Sequence, residues 1–103
     1  MVARKPLDEK APQPMAKVAF TQNIQRHVAC PPSQAPGKSV REVLDQVFEQ
    51  NPRARHYVLD DQNALRRHML IFIDGEVIRD RIGLSDPVDD DSSIYVFQSL
   101  SGG

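Results

Sequence analysis

Met69-Leu70-Ile71-Phe72-Ile73-Asp74-Gly75-Glu76-Val77-Ile78 is the stretch on which the fold turns. Its first five residues are β-branched, aromatic or otherwise apolar without interruption, which suggests an interior strand. Asp74-Gly75 then supplies the pair that tolerates positive φ in a two-residue type I′ turn, and Glu76-Val77-Ile78 returns as the partner strand. A hairpin with an apolar face needs a further layer to cover it. Val40, Val43, Leu44, Val47 and Phe48 provide that layer, because they recur at i, i+3, i+4, i+7 and i+8 and form one stripe of a helix over Val40 to Gln50. Ser39 followed three residues later by Glu42 reads as a capping box, and Asn51-Pro52 stops the helix because the residue before proline is pushed out of the α region.

Outward from these two elements, Lys17 to Thr21 reads as a first strand and Arg26 to Cys30 as a second, closed by Pro31-Pro32 and a polar loop through Gly37. A polar linker containing Asp60-Asp61-Gln62-Asn63 joins the helix to the hairpin. Ile82 to Pro87 reads as a turn-like crossover, Asp89 to Ser93 as a loop, and Ile94 to Gln98 as the last strand. The order is β-β-α-β-β-β, an α+β architecture in which a single helix covers one face of a mixed sheet of about five strands. Residues 1–16 combine charge with Pro6, Pro12 and Pro14 and lack an apolar period, so they are expected to be a disordered tail preceding one domain over 17–103.

The chain has 103 residues, with 13 Lys and Arg against 14 Asp and Glu, for a net charge of −1. No overall electrostatic drive toward nucleic acid or an anionic membrane follows from that balance. A single cysteine excludes an intramolecular disulfide, and neither a signal peptide nor a run of about 20 apolar residues is present, so a cytoplasmic protein is expected. A domain this small buries only roughly 60 to 65% of its unfolded surface, which leaves little room for a deep catalytic cleft. Downstream of the last strand the sequence ends in Ser101-Gly102-Gly103. Glycine has no Cβ, so a Gly-Gly segment can extend and carry its carboxylate through a channel too narrow for other residues.

The order of elements, the sequence IFIDGEVI and a last strand running into SLSGG together resemble the MoaD/ThiS family of β-grasp sulfur carriers, relatives of ubiquitin. The likeness covers roughly 17–103, and Val58-Leu59-Asp60-Asp61 with Leu65-Arg66-Arg67 is most similar to the family's longer members. The resemblance implies a sheet with the last strand in the middle, parallel to the first, and a flexible tail projecting from one end. It implies that a ubiquitin-activating-type adenylating enzyme uses ATP to activate the Gly103 carboxylate. A sulfur donor or sulfurtransferase then replaces AMP to give a thiocarboxylate for a sulfur-accepting biosynthetic enzyme. Gly102 would let the backbone approach ATP, and the chain itself would bind no cofactor. An aromatic at the position matching Phe97 contacts the activating enzyme in the family, which makes Phe97 the expected partner anchor on the open face of the sheet, with Leu100 and Ser101 beside it in the tail. The chain departs from the family pattern in having Asp89-Asp90-Asp91-Ser92 where many members carry Gly-Asp, and Gln98-Ser99-Leu100 where many carry proline.

Other residue types point to blander roles. Cys30 has no activating base beyond nearby His27 and reads as a small strand-end residue. His27, His56 and His68 lack metal-ligand spacing, and Asp86, Asp89, Asp90 and Asp91 lack the EF-hand pattern, so no metal site is expected. Arg53, Arg55, Arg66, Arg67, Arg79 and Arg81 have no interleaved aromatics and read as solvated. Three functions stay open. They are a sulfur carrier, a ubiquitin-like modifier joined through Gly103 to lysines, and a non-covalent β-grasp interaction module. A stand-alone enzyme is disfavoured because no nucleophile, base and orienting group assemble from these residues.

Overall fold

The structure is a computed structural model and describes residues 15–89 and 91–99. In chain order the elements are β1 (Ala16–Phe20), α1 (Gln22–His27), β2 (Ser33–Ala35), α2 (Val40–Gln50), α3 (Pro52–Val58), β3 (Met69–Ile73), β4 (Glu76–Val77) and β5 (Ser93–Gln98). The strands form one sheet in the order β2-β1-β5-β3-β4. β5 runs parallel to β1, in the register Val18 to Ile94 and Phe20 to Val96, and antiparallel to β3, with Ile71 opposite Val96. The outer pairs β1–β2 and β3–β4 are antiparallel. This is an α+β mixed sheet with the β-grasp strand order, the last strand lying in its centre as the resemblance implies.

Alternation decides which face is covered. Ala16, Val18 and Phe20 of β1, Met69 and Ile71 of β3, and Ile94 and Val96 of β5 are buried together. The α2 stripe of Val40, Val43, Leu44, Val47 and Phe48 is buried with them. Phe20 and Phe48 meet across the layers with ring centroids 6.3 Å apart. Ser39 caps α2 as expected, its Oγ accepting the Glu42 N–H at 3.2 Å, but the Glu42 carboxylate accepts from the Lys38 N–H, one residue earlier than in the reciprocal box. The expected type I′ hairpin is present, with Asp74 at φ 52° and Gly75 at φ 90°.

Three expectations are corrected. The second strand is not at Arg26–Cys30. Val28 and Cys30 alternate like a strand, but Gln22–His27 is a short helix whose Ile24 is fully buried, and the Val28 N–H turns back to the Ile24 carbonyl at 3.0 Å. The second strand is instead Ser33–Ala35, inside the stretch read as a loop. Three residues with one fully buried side chain are too few to show a period, and the preceding prolines are tolerated because the strand is at the sheet edge. Nor is α2 the only helix. Asn51 ends it, but Pro52 opens α3, where its missing N–H costs nothing, and Ala54 and Val58 are buried. The polar linker is therefore shorter, and Asp60 organises it by accepting the Gln62 and Ala64 amides, which hold its carboxyl below the usual range.

Asp86 and Asp80 build the crossover ahead of β5. Asp86 is not a merely solvated turn residue, because its carboxylate accepts the Arg79 and Asp80 amides at 3.0 and 2.8 Å. Asp80 in turn accepts the Ser85 hydroxyl at 2.6 Å and the Gly83 amide at 2.8 Å, together with the Ser85 and Ile82 amides, and these bonds hold its pKa at about 2.

Two outcomes are expected. Leu44 is 1% exposed at the centre of the helix–sheet contact, so Leu44→Ala should lower the unfolding free energy by about 2 to 5 kcal/mol in urea titrations. A loss below that range would show that the site relaxes around the missing side chain. The depressed pKa of Asp80 means that its hydrogen bonds stabilise the fold above the unfolded carboxylate value of about 3.9 and lose that effect as pH falls through about 2. Asp80→Asn should therefore melt below wild type at pH 7, and thermal melts taken down to pH 2 should show the difference shrinking. A gap independent of pH would contradict this account.

Candidate functional site

One face of the sheet has no helix over it among the described residues. Along β5 the inward Ile94 and Val96 alternate with Tyr95 and Phe97, which point away from the helices. In the neighbouring strand Phe72 stands opposite Tyr95 and Leu70 opposite Phe97, and Val77 of β4 stands opposite Phe72. The rings interlock, with Phe72 edge-on to Phe97 at 6.3 Å and Tyr95 tilted against Phe97 at 6.3 Å. Tyr95 is 42% exposed and Val77 52%, whereas Leu70, Phe72 and Phe97 are half-buried by one another. On the other side of β5 the face continues into a shallow groove lined by Lys17, Ala19, Pro32, Ser33, Gln34 and Tyr95. These side chains form an apolar patch on a sheet face that no helix among the described residues covers.

Beside this face the chain leaves the sheet. The Ser99 N–H donates to the His68 carbonyl at 2.8 Å, and the Gln98 Oε1 accepts the Tyr57 hydroxyl at 3.0 Å. Tyr57 stacks on His27, the ring centroids 5.2 Å apart and the planes 24° from parallel. A second groove adjoins, lined by Asp60, Leu65, Arg66, Arg67, His68 and Arg81. Its arginines are not all solvated, which corrects the sequence reading. Arg81 donates to the Arg66 and Arg67 carbonyls, and Arg66 donates to the His56 carbonyl at 3.0 Å. Arg55 likewise pairs with Asp45 at 3.3 Å and lies over the Phe48 ring. Arg53, Arg67 and Arg79 are exposed.

Of the residues singled out in the sequence, Phe97 lies at the centre of the open face. Leu100, Ser101, Gly102 and Gly103 lie outside the described residues, as does Asp90. Cys30 is fully buried, and burial pushes its thiol up to about 11, so it is not a thiolate at neutral pH. His27, His56 and His68 are exposed, and among the described residues no cluster of three or more His, Cys, Asp or Glu side chains could hold a metal. No helix among them is long and apolar enough to cross a membrane.

Strand alternation puts Tyr95 on the same side of β5 as Phe97, although Tyr95 was not singled out as a contact, and sequence reasoning missed Phe72 and Tyr57. Phe72 was within reach, since hairpin register places it opposite Tyr95. Tyr57 carried no signal, because its partner is 41 residues away. The arrangement places an aromatic cluster near the point where the Ser99 backbone is bonded to His68.

Several solved structures share this fold. Small archaeal modifier protein 1 from Methanosarcina acetivorans superposes with a TM-score of 0.72 at 23% identity, over 90% of this chain and 100% of that one. CysO in the Amycolatopsis orientalis BexX/CysO complex superposes with a TM-score of 0.72 at 20% identity, over 85% and 99%. CysO from Mycobacterium tuberculosis does so with a TM-score of 0.69 at 17% identity, over 82% and 99%. At these identities the likeness is one of fold. No curated protein matches the chain in sequence. Residues 28–103 match the ThiS family, a span that includes β2 to β5 and reaches the two terminal glycines. The chain therefore belongs to the ThiS family.

Proposed function

We propose that this protein is a sulfur carrier whose Gly103 carboxylate is activated by a ubiquitin-activating-type enzyme and converted to a thiocarboxylate. ThiS family proteins are carriers, not catalysts, and the chemistry explains why a carrier is needed. A carboxylate is a poor acyl electrophile because its leaving group would be oxide. Attack of the carboxylate oxygen on the α-phosphate of ATP, with loss of pyrophosphate, gives an acyl adenylate whose leaving group is AMP. A hydrosulfide equivalent from the sulfur donor then forms the C–S bond, AMP departs, and the thiocarboxylate carries sulfur to a biosynthetic enzyme.

The observation that supports this reading best is the position of β5. As the central strand it is clamped by β1 and β3 and leads straight from the aromatic face to the tail. A partner docked on Phe97, Tyr95 and Phe72 would hold the body of the carrier while residues 100–103 enter its active site. Gly102 and Gly103 add no Cβ to the part that must pass nearest ATP. The CysO of Amycolatopsis orientalis forms a complex with BexX, and a complex with a partner is what the open face of this chain is proposed to serve.

Intact mass of the untagged protein, purified from its own host, should show a gain equal to replacing one oxygen by sulfur, localised to Gly103. Lysine-linked conjugates in place of that adduct would assign the chain to the modifiers. Neither adduct nor conjugate would leave the non-covalent module. Deleting Gly103 should abolish ATP–pyrophosphate exchange with the host's adenylating enzyme, and Phe97→Ala should raise the KM for the carrier by about tenfold or more, as for a central aromatic anchor. Exchange that survives the deletion would refute the mechanism, and an unchanged KM for Phe97→Ala would remove Phe97 as the anchor.

A further inference from the structure

Gln98 is the last residue of β5 and falls on the inward side of the strand, in line with Ile94 and Val96. An apolar side chain would complete the buried row there. The chain instead has a glutamine whose Oε1 accepts the Tyr57 hydroxyl at 3.0 Å. Burial is non-directional, whereas a hydrogen bond is restricted in both distance and angle, so the exchange trades area for orientation. Tyr57 is itself held, its body packed against the core and its ring stacked on His27. One residue further on, the Ser99 N–H is bonded to the His68 carbonyl at 2.8 Å. The root of the tail is thus pinned by α3 through a side chain and by the segment before β3 through the backbone.

In the carrier reading, Leu100, Ser101, Gly102 and Gly103 separate Ser99 from the reacting carboxylate. Four extended residues span about 14 Å, so a swing of about 20° at the root displaces the terminal carboxylate by about 5 Å. Reaction requires the attacking and attacked atoms to approach within about 3 to 3.5 Å, and a misplacement of about 1 Å can cost about 100-fold in rate. A carrier with so short a tail gains from having its exit direction set before it binds. We infer that Tyr57, acting through Gln98, is a positioning residue that aims the tail and so prepares the Gly103 carboxylate for adenylation. The inference rests on the carrier reading. Docking and aiming are then separate functions of opposite faces, the first belonging to Phe72, Tyr95 and Phe97 and the second to Tyr57 and Gln98.

The test is ATP–pyrophosphate exchange by the full-length chain with the adenylating enzyme of its host, at varied carrier concentration. Tyr57→Phe keeps the ring and its stack but removes the donor, and should lower kcat about fivefold, the effect of one neutral hydrogen bond, while leaving KM unchanged. Gln98→Leu should do the same. The double variant should be no slower than either single one, and Gln98→Glu, which keeps an acceptor for the hydroxyl, should retain the wild-type kcat. A purely structural role would lower the melting temperature without this split or this non-additivity. Wild-type kcat in Tyr57→Phe, losses that add in the double variant, or an effect confined to KM would overturn the assignment while leaving the carrier reading intact. A wild-type chain that supports no exchange would overturn the carrier reading and this inference with it.

Discussion

The parallel pairing of β1 with β5 organises everything else in this protein. Two strands from opposite ends of the domain lie side by side and point the same way, which no tight turn can achieve and which requires a crossover of a dozen or more residues. All of the intervening chain serves as that crossover. It lays α2 across one face, contributes β2 to one edge and delivers the β3–β4 hairpin to the other side of β5. β5 is paired with β1 over Ser93 to Val96 and with β3 over Ile94 to Gln98, which fixes it at the centre of the sheet.

The crossover leaves the two faces of the sheet unequal. One carries the continuous apolar contact of Val18, Phe20, Ile71, Ile94 and Val96 with the α2 stripe. The other keeps Phe72, Tyr95 and Phe97 in an aromatic cluster beside Leu70, with no helix above it among the described residues. The same strand therefore holds the fold together with one set of side chains and presents the alternate set on the opposite face.

Long loops between strands would normally be a source of disorder, and here they are tied down by polar groups rather than by burial. Asp60, Asp80 and Asp86 each gather backbone amides, while Arg41, Arg66 and Arg81 each reach backbone carbonyls. Arg41 donates to the carbonyls of Asn63, Ile82 and Gly83 and so joins the linker after α3 to the crossover before β5. Charged side chains are in this way the internal bracing of the loops.

Much of the fold was legible in the residues. The α2 stripe, its serine cap, the Asp74-Gly75 turn and the alternation of the last strand are local patterns, repeating at the helix or strand period or occupying adjacent positions, and each element formed where its pattern lies. The elements that were misread are short ones. Gln22–His27, Ser33–Ala35 and Pro52–Val58 contain few buried positions, too few to establish a period, and their conformation is decided by the bodies they pack against. The site divides in the same way. The place of Phe97 on the outward side of β5 follows from alternation, but its clustering with Phe72 depends on register, and the bond from Tyr57 to Gln98 joins residues 41 positions apart. The sequence by itself determined which side chains each regular element buries, because that depends on backbone period alone. Only the tertiary structure decided which distant groups meet at the end of β5, because a contact between separate elements depends on how they pack and has no signature in either one.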